Sequence, residues 1–326
     1  MKPHNKNLIS NKLEITEHSR ENVISANDII KLYPQLSVDE LHDIQKLEIL
    51  SQEENSVIYK FDTTILKFAT NGDIEGFYRE IIIGLEINSL KSDNFVRTIG
   101  YYHSKHGCDV PLESIKEKEC VYLYVKEISG PTLTKFILTA SISQFKHIMN
   151  TLLSAYEIAV KELDFCHYDL HSNNVIITSK ENELIPVIID FGASHIKLKL
   201  GDTIANIGEY YPEQGRYENK SLWVYDLFKI FAFCWQFSDY SNVMYNPYFS
   251  KTEKNSFREN YNNLLLINRY CLKILFYFVN FGNENYEEEW LRLYSRVSPS
   301  WGVAVTKDGE NASLSEFIKY VRNIDN

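Results

Sequence analysis

Among the five cysteines, Cys108, Cys120, Cys166, Cys234 and Cys271, there is no C-x-x-C pair. An odd, scattered set argues against a zinc ribbon or disulfide framework and for a reducing compartment. Positive charge is also in deficit: 34 Lys and Arg against 44 Asp and Glu leave a net charge of −10. No global basic field draws this chain to nucleic acid, so no nucleic-acid partner is expected. The first twelve residues, M-K-P-H-N-K-N-L-I-S-N-K, lack the apolar core of a signal peptide. Long hydrophobic runs are missing too. The most apolar segment, Leu264 to Phe281, is broken by Asn268, Arg269, Lys273 and Asn280. It is too short and too charged to span a bilayer and reads as a buried helix. Together these absences lead us to expect a soluble protein of the cytoplasm.

At 326 residues, with 44% hydrophobic and 13% aromatic residues, the chain can bury a sizeable core. Residues 1–36 are polar and weakly patterned and read as an N-terminal extension. A capping box, Ser37 with Glu40, opens a predicted helix leading residues 37–128. Strand-like runs follow at 46–50, 57–61 and 64–69, then a helical pattern over 77–90, then strands at 95–102 and 120–125. After the breaker Ser129-Gly130-Pro131 the texture changes. Phe145, Ile148, Met149, Leu152, Tyr156, Ala159 and Leu163 form an i, i+3, i+4, i+7 stripe. Short strands at 175–178 and 186–190 come next, and the region beyond 220 reads as helical. A last helix opens with Ser313 and Glu316. The expectation is an α+β fold, with a small β-rich part carrying one helix ahead of a larger, mostly α part over 129–326.

The stretch F-C-H-Y-D-L-H-S-N-N-V-I-I, residues 165–177, sets polar side chains directly before a strand. A hairpin of the two short strands brings Asn174, at the entry of the first, beside Asp190, at the exit of the second. Both lie near Asp169. Oxygen donors without a thiolate suit Mg²⁺, which is held by one or two carboxylates together with substrate phosphates. A further carboxylate, Asp169, is then free to take a hydroxyl proton, as phosphoryl transfer requires.

H-Y-D-L-H-S-N-N, residues 167–174, resembles the catalytic loop of the protein-kinase superfamily, and Asp190-Phe191-Gly192 resembles its metal-binding signature. The resemblance covers roughly residues 46–235 and implies a bilobal fold that uses ATP and Mg²⁺. It makes Asp169 the catalytic base, Asn174 and Asp190 the metal ligands, and His167 a structural member of the loop. Lys67 takes the place of the lysine that anchors the α and β phosphates, and Glu80 that of its helical partner, with Glu86 as the rival. Ser51, Ser56 and Ile58 fall in the phosphate-covering segment. Lys126, Glu127 and Ile128 fall in the hinge, offering backbone groups to an adenine. Asp226 resembles the aspartate that braces the catalytic loop from behind; an N-cap or surface aspartate is the other reading.

Departures from the family pattern shape the functional reading. Serines and glutamates, among them Glu53 and Glu54, stand where the family has three glycines. Cβ atoms obstruct a close backbone approach to phosphates. Tyr168 replaces the arginine of H-R-D, so no phosphorylation switch through that residue is expected. No A-P-E follows Gly192. The form D-L-H-x-x-N, with His171, occurs in haspin-like and virus- or bacterium-encoded kinases and in aminoglycoside- and choline-type phosphotransferases. Three functions follow: an atypical Ser/Thr protein kinase with a protein substrate, a small-molecule phosphotransferase, and a non-catalytic binding module. In the second, Glu287 to Glu289 could bind a polycationic acceptor. Oligomeric state is left open.

Overall fold

The computed structural model describes residues 25–36, 48–52, 56–69, 74–104, 120–208, 222–279 and 313–324. The β-branched and aromatic runs near the N-terminus become strands β1 (Glu48–Gln52), β2 (Ser56–Phe61), β3 (Thr64–Ala69), β4 (Thr98–Ser104) and β5 (Cys120–Lys126). They form one antiparallel sheet in the order β1-β2-β3-β5-β4. The register sets Lys67 of β3 between Ile58 of β2 and Leu123 of β5. Against the sheet lies helix α2 (Ile74–Ile87), whose Phe77, Ile81, Ile82 and Ile83 are buried.

One glycine permits that packing. A Cβ built on Gly84 would stand 2.2 Å from Thr98 Oγ1, so α2 and β4 meet only because position 84 has no side chain. Gly84→Ala should cost about 1–2 kcal/mol net. Overpacking of this kind costs about 1–3 kcal/mol, and alanine's better helix preference returns up to about 1 kcal/mol. Urea denaturation midpoints of the two proteins would measure it, and an unchanged midpoint would show that α2 can shift off the sheet freely.

Residues 25–36, expected as part of a weakly patterned extension, are packed. A short helix α1 (Ala26–Ile29), continued by a 3₁₀ turn over Ile30–Leu32, buries Ala26, Ile29 and Ile30 in the same core as α2. Tyr33 donates its hydroxyl to Glu86 on α2 at 2.6 Å, and Tyr101 of β4 donates to the carbonyls of Ile30 and Tyr33. The apolar spacing behind this contact is too short to show in a pattern search. The helix expected from Ser37 and the acidic run Glu287 to Glu289 lie outside the described residues.

The larger part is helical: α3 (Leu133–Ile137), α4 (Ile142–Leu163), α5 (Trp223–Phe237), α6 (Tyr240–Met244), α7 (Lys251–Glu259), α8 (Tyr261–Val279) and α9 (Leu314–Arg322). The α4 stripe is fully buried and its start is closed by a Ser141–Gln144 capping box. Two hairpins sit beside these helices. One is β6 (Val175–Lys180) with β7 (Glu183–Ile188), as expected. The other, β8 (Ile196–Leu200) with β9 (Thr203–Ile207), was not anticipated. Its period-two alternation of Ile196, Leu198 and Leu200 before Gly201-Asp202 is a hairpin signal of the ordinary kind. The two parts are joined where Val96 donates to Ile188 O at 2.9 Å and Ile188 donates to Asn94 O at 2.8 Å.

Among the described residues no helix is long and apolar enough to cross a membrane. Cys166, Cys234 and Cys271 are buried free thiols, and Cys120 is disulfide-bonded.

Candidate active site

A cleft of about 440 Å³ lies between the sheet and the helical part. That is within the usual range for small-molecule sites, about 300–1,000 Å³. Its apolar walls include Leu50, Ile58, Ile65, Leu123, Val125, Ile128 and Ile176, and its polar end carries Lys67, Glu80, Asn174 and Asp190.

The polar end is built by three elements. β3 presents Lys67, α2 presents Glu80, and the turn after β7 presents Asp190. Lys67 Nζ donates to Glu80 Oε1 and to Asp190 Oδ1, each at 2.9 Å. Glu80 is therefore the lysine's partner. Glu86, the other candidate on the helix, faces away and accepts from Tyr33. Burial by itself would lower the Lys67 pKa, but Glu80 and then Asp190 outweigh it and the net direction is up. Lys67 in turn holds Asp190 below the ordinary carboxylate value. Burial favours a protonated Glu80 and Lys67 opposes it; with the ammonium donating at 2.9 Å, the ionised carboxylate is the form the geometry accepts. Asp190 adopts φ +64°, a left-handed conformation outside the strand expected there.

The loop at 167–174 is fastened from behind. Asp226, fully buried on α5, accepts from the His167 amide at 2.5 Å, the Tyr156 hydroxyl at 2.6 Å and the Cys166 thiol at 3.4 Å. It is the loop brace: its burial excludes the surface alternative, and Leu222, not Asp226, is the N-cap of α5. His167 is buried and does not line the cleft. Its Nε2 pairs with Ile189 O at 2.9 Å, and its Nδ1 accepts from the Asp169 amide at 3.3 Å. That pattern requires the Nε2–H tautomer and ties the loop to the approach to Asp190. Tyr168 is buried edge-on against Tyr225 rather than reaching outward as an arginine would.

Asn174 uses its amide nitrogen on Asp169, with the backbone oxygen at 3.0 Å and Oδ2 at 3.4 Å. That leaves the amide oxygen of Asn174 as an acceptor, and Asn174 and Asp190 both line the cleft. His171 is a packed imidazole. Its ring stacks on Phe233 with centroids 5.3 Å apart, its Nδ1 accepts from the Asn173 amide, and burial lowers its pKa against the pull of Asp169.

At the hinge the expectation is narrowed. Lys126, Glu127 and Ile128 all line the cleft. The amide of Lys126 is already given to Arg97 O and that of Glu127 to Thr63 O, both at 2.9 Å. Of the three, the Ile128 amide is the one with no hydrogen bond among the described residues. Ile58 lines the cleft opposite it. Ser51 and Ser56 belong to β1 and β2; Glu53 and Glu54, between them, lie outside the described residues.

Lys229 was missed in the sequence. It lies on α5 one turn beyond Asp226 and pairs with Asp169 Oδ1. A lysine three residues after the bracing aspartate is the signal that could have found it.

The model of the choline/ethanolamine kinase family matches residues 6–226, two-thirds of the chain. Among curated relatives, the chain is 26% identical over 204 residues to "Probable kinase 098L" of Invertebrate iridescent virus 3, covering 55% of this chain and 35% of that protein. It is 24% identical over 89 residues to the "Serine/threonine-protein kinase haspin homolog" of Arabidopsis thaliana, covering 27% and 15%. It is 26% identical over 164 residues to "EKC/KEOPS complex subunit bud32" of Dictyostelium discoideum, covering 49% and 64%. The matches thus span only 15% to 64% of these relatives' own lengths. Among solved structures, the Cydia pomonella granulovirus kinase PK-1 aligns at 18% identity over 49% of this chain and 56% of that one, with a TM-score of 0.34. The haspin-like side, favoured by the sequence, is thus represented among the relatives, while the family model falls on the choline-type side. By that match over two-thirds of its length, and by the α+β bilobal architecture that carries Lys67, Asp169 and Asp190, the chain belongs to the choline/ethanolamine kinase family within the protein-kinase-like superfamily.

Proposed function

We propose that this chain transfers the γ-phosphoryl group of ATP to alcohol hydroxyls, with Ser and Thr side chains of proteins as the acceptors. One observation carries the reading: Lys67 held between Glu80 and Asp190 at the polar end of a nucleotide-sized cleft. Phosphoryl transfer is catalysed by positioning and charge, and a fixed ammonium facing a carboxylate-lined pocket supplies both.

In this reading the adenine lies between Ile58 and Ile176, its edge read by the Ile128 amide, with Lys126 and Glu127 as walls. Ser51 and Ser56 fall in the segment assigned to the phosphates, and Lys67 anchors them. Among the described residues no group of three His, Cys, Asp or Glu side chains could hold a metal unaided. The Asn174 amide oxygen and the Asp190 carboxylate are hard donors that fit Mg²⁺ completed by nucleotide oxygens. When bound, that ion neutralises phosphate charge. Asp169 takes the proton of the acceptor hydroxyl as the new O–P bond forms and the bond to the departing diphosphate breaks. The haspin homologue among the relatives, named a serine/threonine-protein kinase, supports a protein acceptor. The family model favours a second acceptor class, choline-like amino alcohols.

The test offers γ-labelled ATP and Mg²⁺ to the purified chain with two acceptor sets in parallel, mixed lysate protein and a panel of choline, ethanolamine and aminoglycosides. We expect label on protein Ser and Thr that EDTA suppresses. Label on the small amino alcohols alone would transfer the assignment to the second class. No label on either would remove the enzymatic reading.

A further inference from the structure

We propose that Lys229 is a positioning residue for the transfer reaction: by engaging Asp169 Oδ1 it leaves Oδ2 as the oxygen that takes the acceptor's proton. This rests on the phosphoryl-transfer reading above and adds to it a residue and an atom.

Lys229 and Asp226 lie three residues apart on α5 and so share the face turned to the catalytic loop. Asp226 fixes the loop's backbone, and Lys229 reaches the side chain of Asp169. The Lys229 side chain is largely withdrawn from solvent, with its ammonium 5.8 Å from the Tyr225 ring centroid. Tyr225 is itself packed edge-on against Tyr168. The tyrosine standing in place of the family's arginine therefore belongs to the wall that supports Lys229.

The other neighbours of Asp169 approach its second oxygen more loosely. Asn174 Nδ2 is 3.4 Å from Oδ2 and His171 Nε2 is 3.6 Å away. Both exceed the usual length of an N–H···O bond, about 2.9–3.0 Å. His171 is already committed, stacked on Phe233 and accepting from Asn173. One oxygen is thus held closely by a cation, and the other, contacted only at 3.4 Å and 3.6 Å, keeps a lone pair for an incoming hydroxyl. In the transfer step the acceptor O–H proton passes to Oδ2, and the freed oxygen pair forms the bond to phosphorus while the diphosphate leaves with the electrons of the broken P–O bond. An ammonium is suited to this, because its point charge engages one oxygen where an arginine fork would take both.

The experiment compares wild type, Lys229→Met, Asp169→Asn and the double variant, by steady-state kinetics with Mg-ATP and whichever acceptor the parallel assay identifies. Methionine keeps the side chain's apolar packing on Tyr225 and removes the charge. We expect kcat of Lys229→Met to fall about 10–100-fold, the scale of misplacing a reacting group by an ångström, with KM for ATP within about twofold. The double variant should be no slower than Asp169→Asn, since a residue acting through Asp169 has nothing left to position. A Lys229→Met kcat within about threefold of wild type overturns the proposal, as does a loss that multiplies with that of Asp169→Asn. A rise in KM for ATP together with an equal fall in melting temperature across both single variants also overturns it, marking Lys229 as a fold contact. Should Asp169→Asn itself keep wild-type turnover, the failure lies with the transfer mechanism rather than with Lys229.

Discussion

Replacing Lys67 by methionine will lower phosphoryl-transfer turnover by about 10²–10³-fold, the effect of removing one preorganised donor from a transition-state charge. Methionine matches the stem and donates nothing to the phosphates, Glu80 or Asp190. The same change has a stability cost whose size the site decides. Breaking a buried ion pair by deleting one partner costs about 3–5 kcal/mol when the remaining charge is trapped. Here Asp190 opens to solvent, with 47% of its side chain exposed, and Glu80 can relieve its burial by taking up a proton. We therefore expect a loss of about 1–3 kcal/mol. Its pH dependence follows from Glu80. Without Lys67 to oppose burial, the folded-state pKa of Glu80 lies above its ordinary 4.5. The folded state then holds a proton that the unfolded state has released, so stability falls as pH rises through that window. The gap between Lys67→Met and wild type should widen from about pH 4.5 upward in urea titrations. Turnover within threefold of wild type would mean that the cleft does not hold the phosphates, and a gap that stays flat or narrows with pH would mean that Glu80 stays ionised.

Asp226→Ala should be the most destabilising of the site variants. It strips the acceptor from the His167 amide and the Tyr156 hydroxyl, both buried and both bonded at 2.6 Å or less. Each buried donor left unpaired costs about 1–3 kcal/mol. Against this, the variant removes a carboxylate whose pKa burial has pushed up, so the wild-type charge is itself held at some expense. The net loss should be about 3 kcal/mol, lowering the melting midpoint by roughly 6–12 °C at the 2–4 °C per kcal/mol of larger domains. Turnover should also fall, by about 100-fold, because Asp169 loses the backbone anchor two residues before it. A melting curve within about 2 °C of wild type, with turnover intact, would show that the loop's other contacts, among them the Cys166–His195 strand bridge and the His167–Ile189 bond, hold it without Asp226.

The polar end of the cleft was legible for a specific reason. Lys67, Asn174 and Asp190 sit in short motifs on or beside elements whose periodicity the chain displays, and Asp169 belongs to the same loop motif as Asn174. Glu80 against Glu86 was a question of helical phase, which spacing leaves open and which the 2.9 Å contact with Lys67 answers. The hinge was half legible. Its location follows from the break at Ser129-Gly130-Pro131, but the sequence does not say that Arg97 and Thr63 carbonyls already occupy two of its three amides. Lys229 and Tyr33 were invisible for the same reason: each acts across 53 or more positions of chain, through a single side-chain contact with no periodic signature.

By itself the sequence determined most of the elements and their order, all but α1 and the β8–β9 hairpin, and which charged residues each would carry, because hydrophobic periodicity, capping and turn chemistry act within a few neighbouring residues. Only the tertiary structure decided which charges meet. Whether Lys67 faces Glu80, whether Asp226 lies under the loop and whether Lys229 reaches Asp169 all depend on how α2 and α5 pack. That packing is set by buried area and close contacts such as Gly84 against Thr98, summed over residues far apart in the chain, and no local pattern records it.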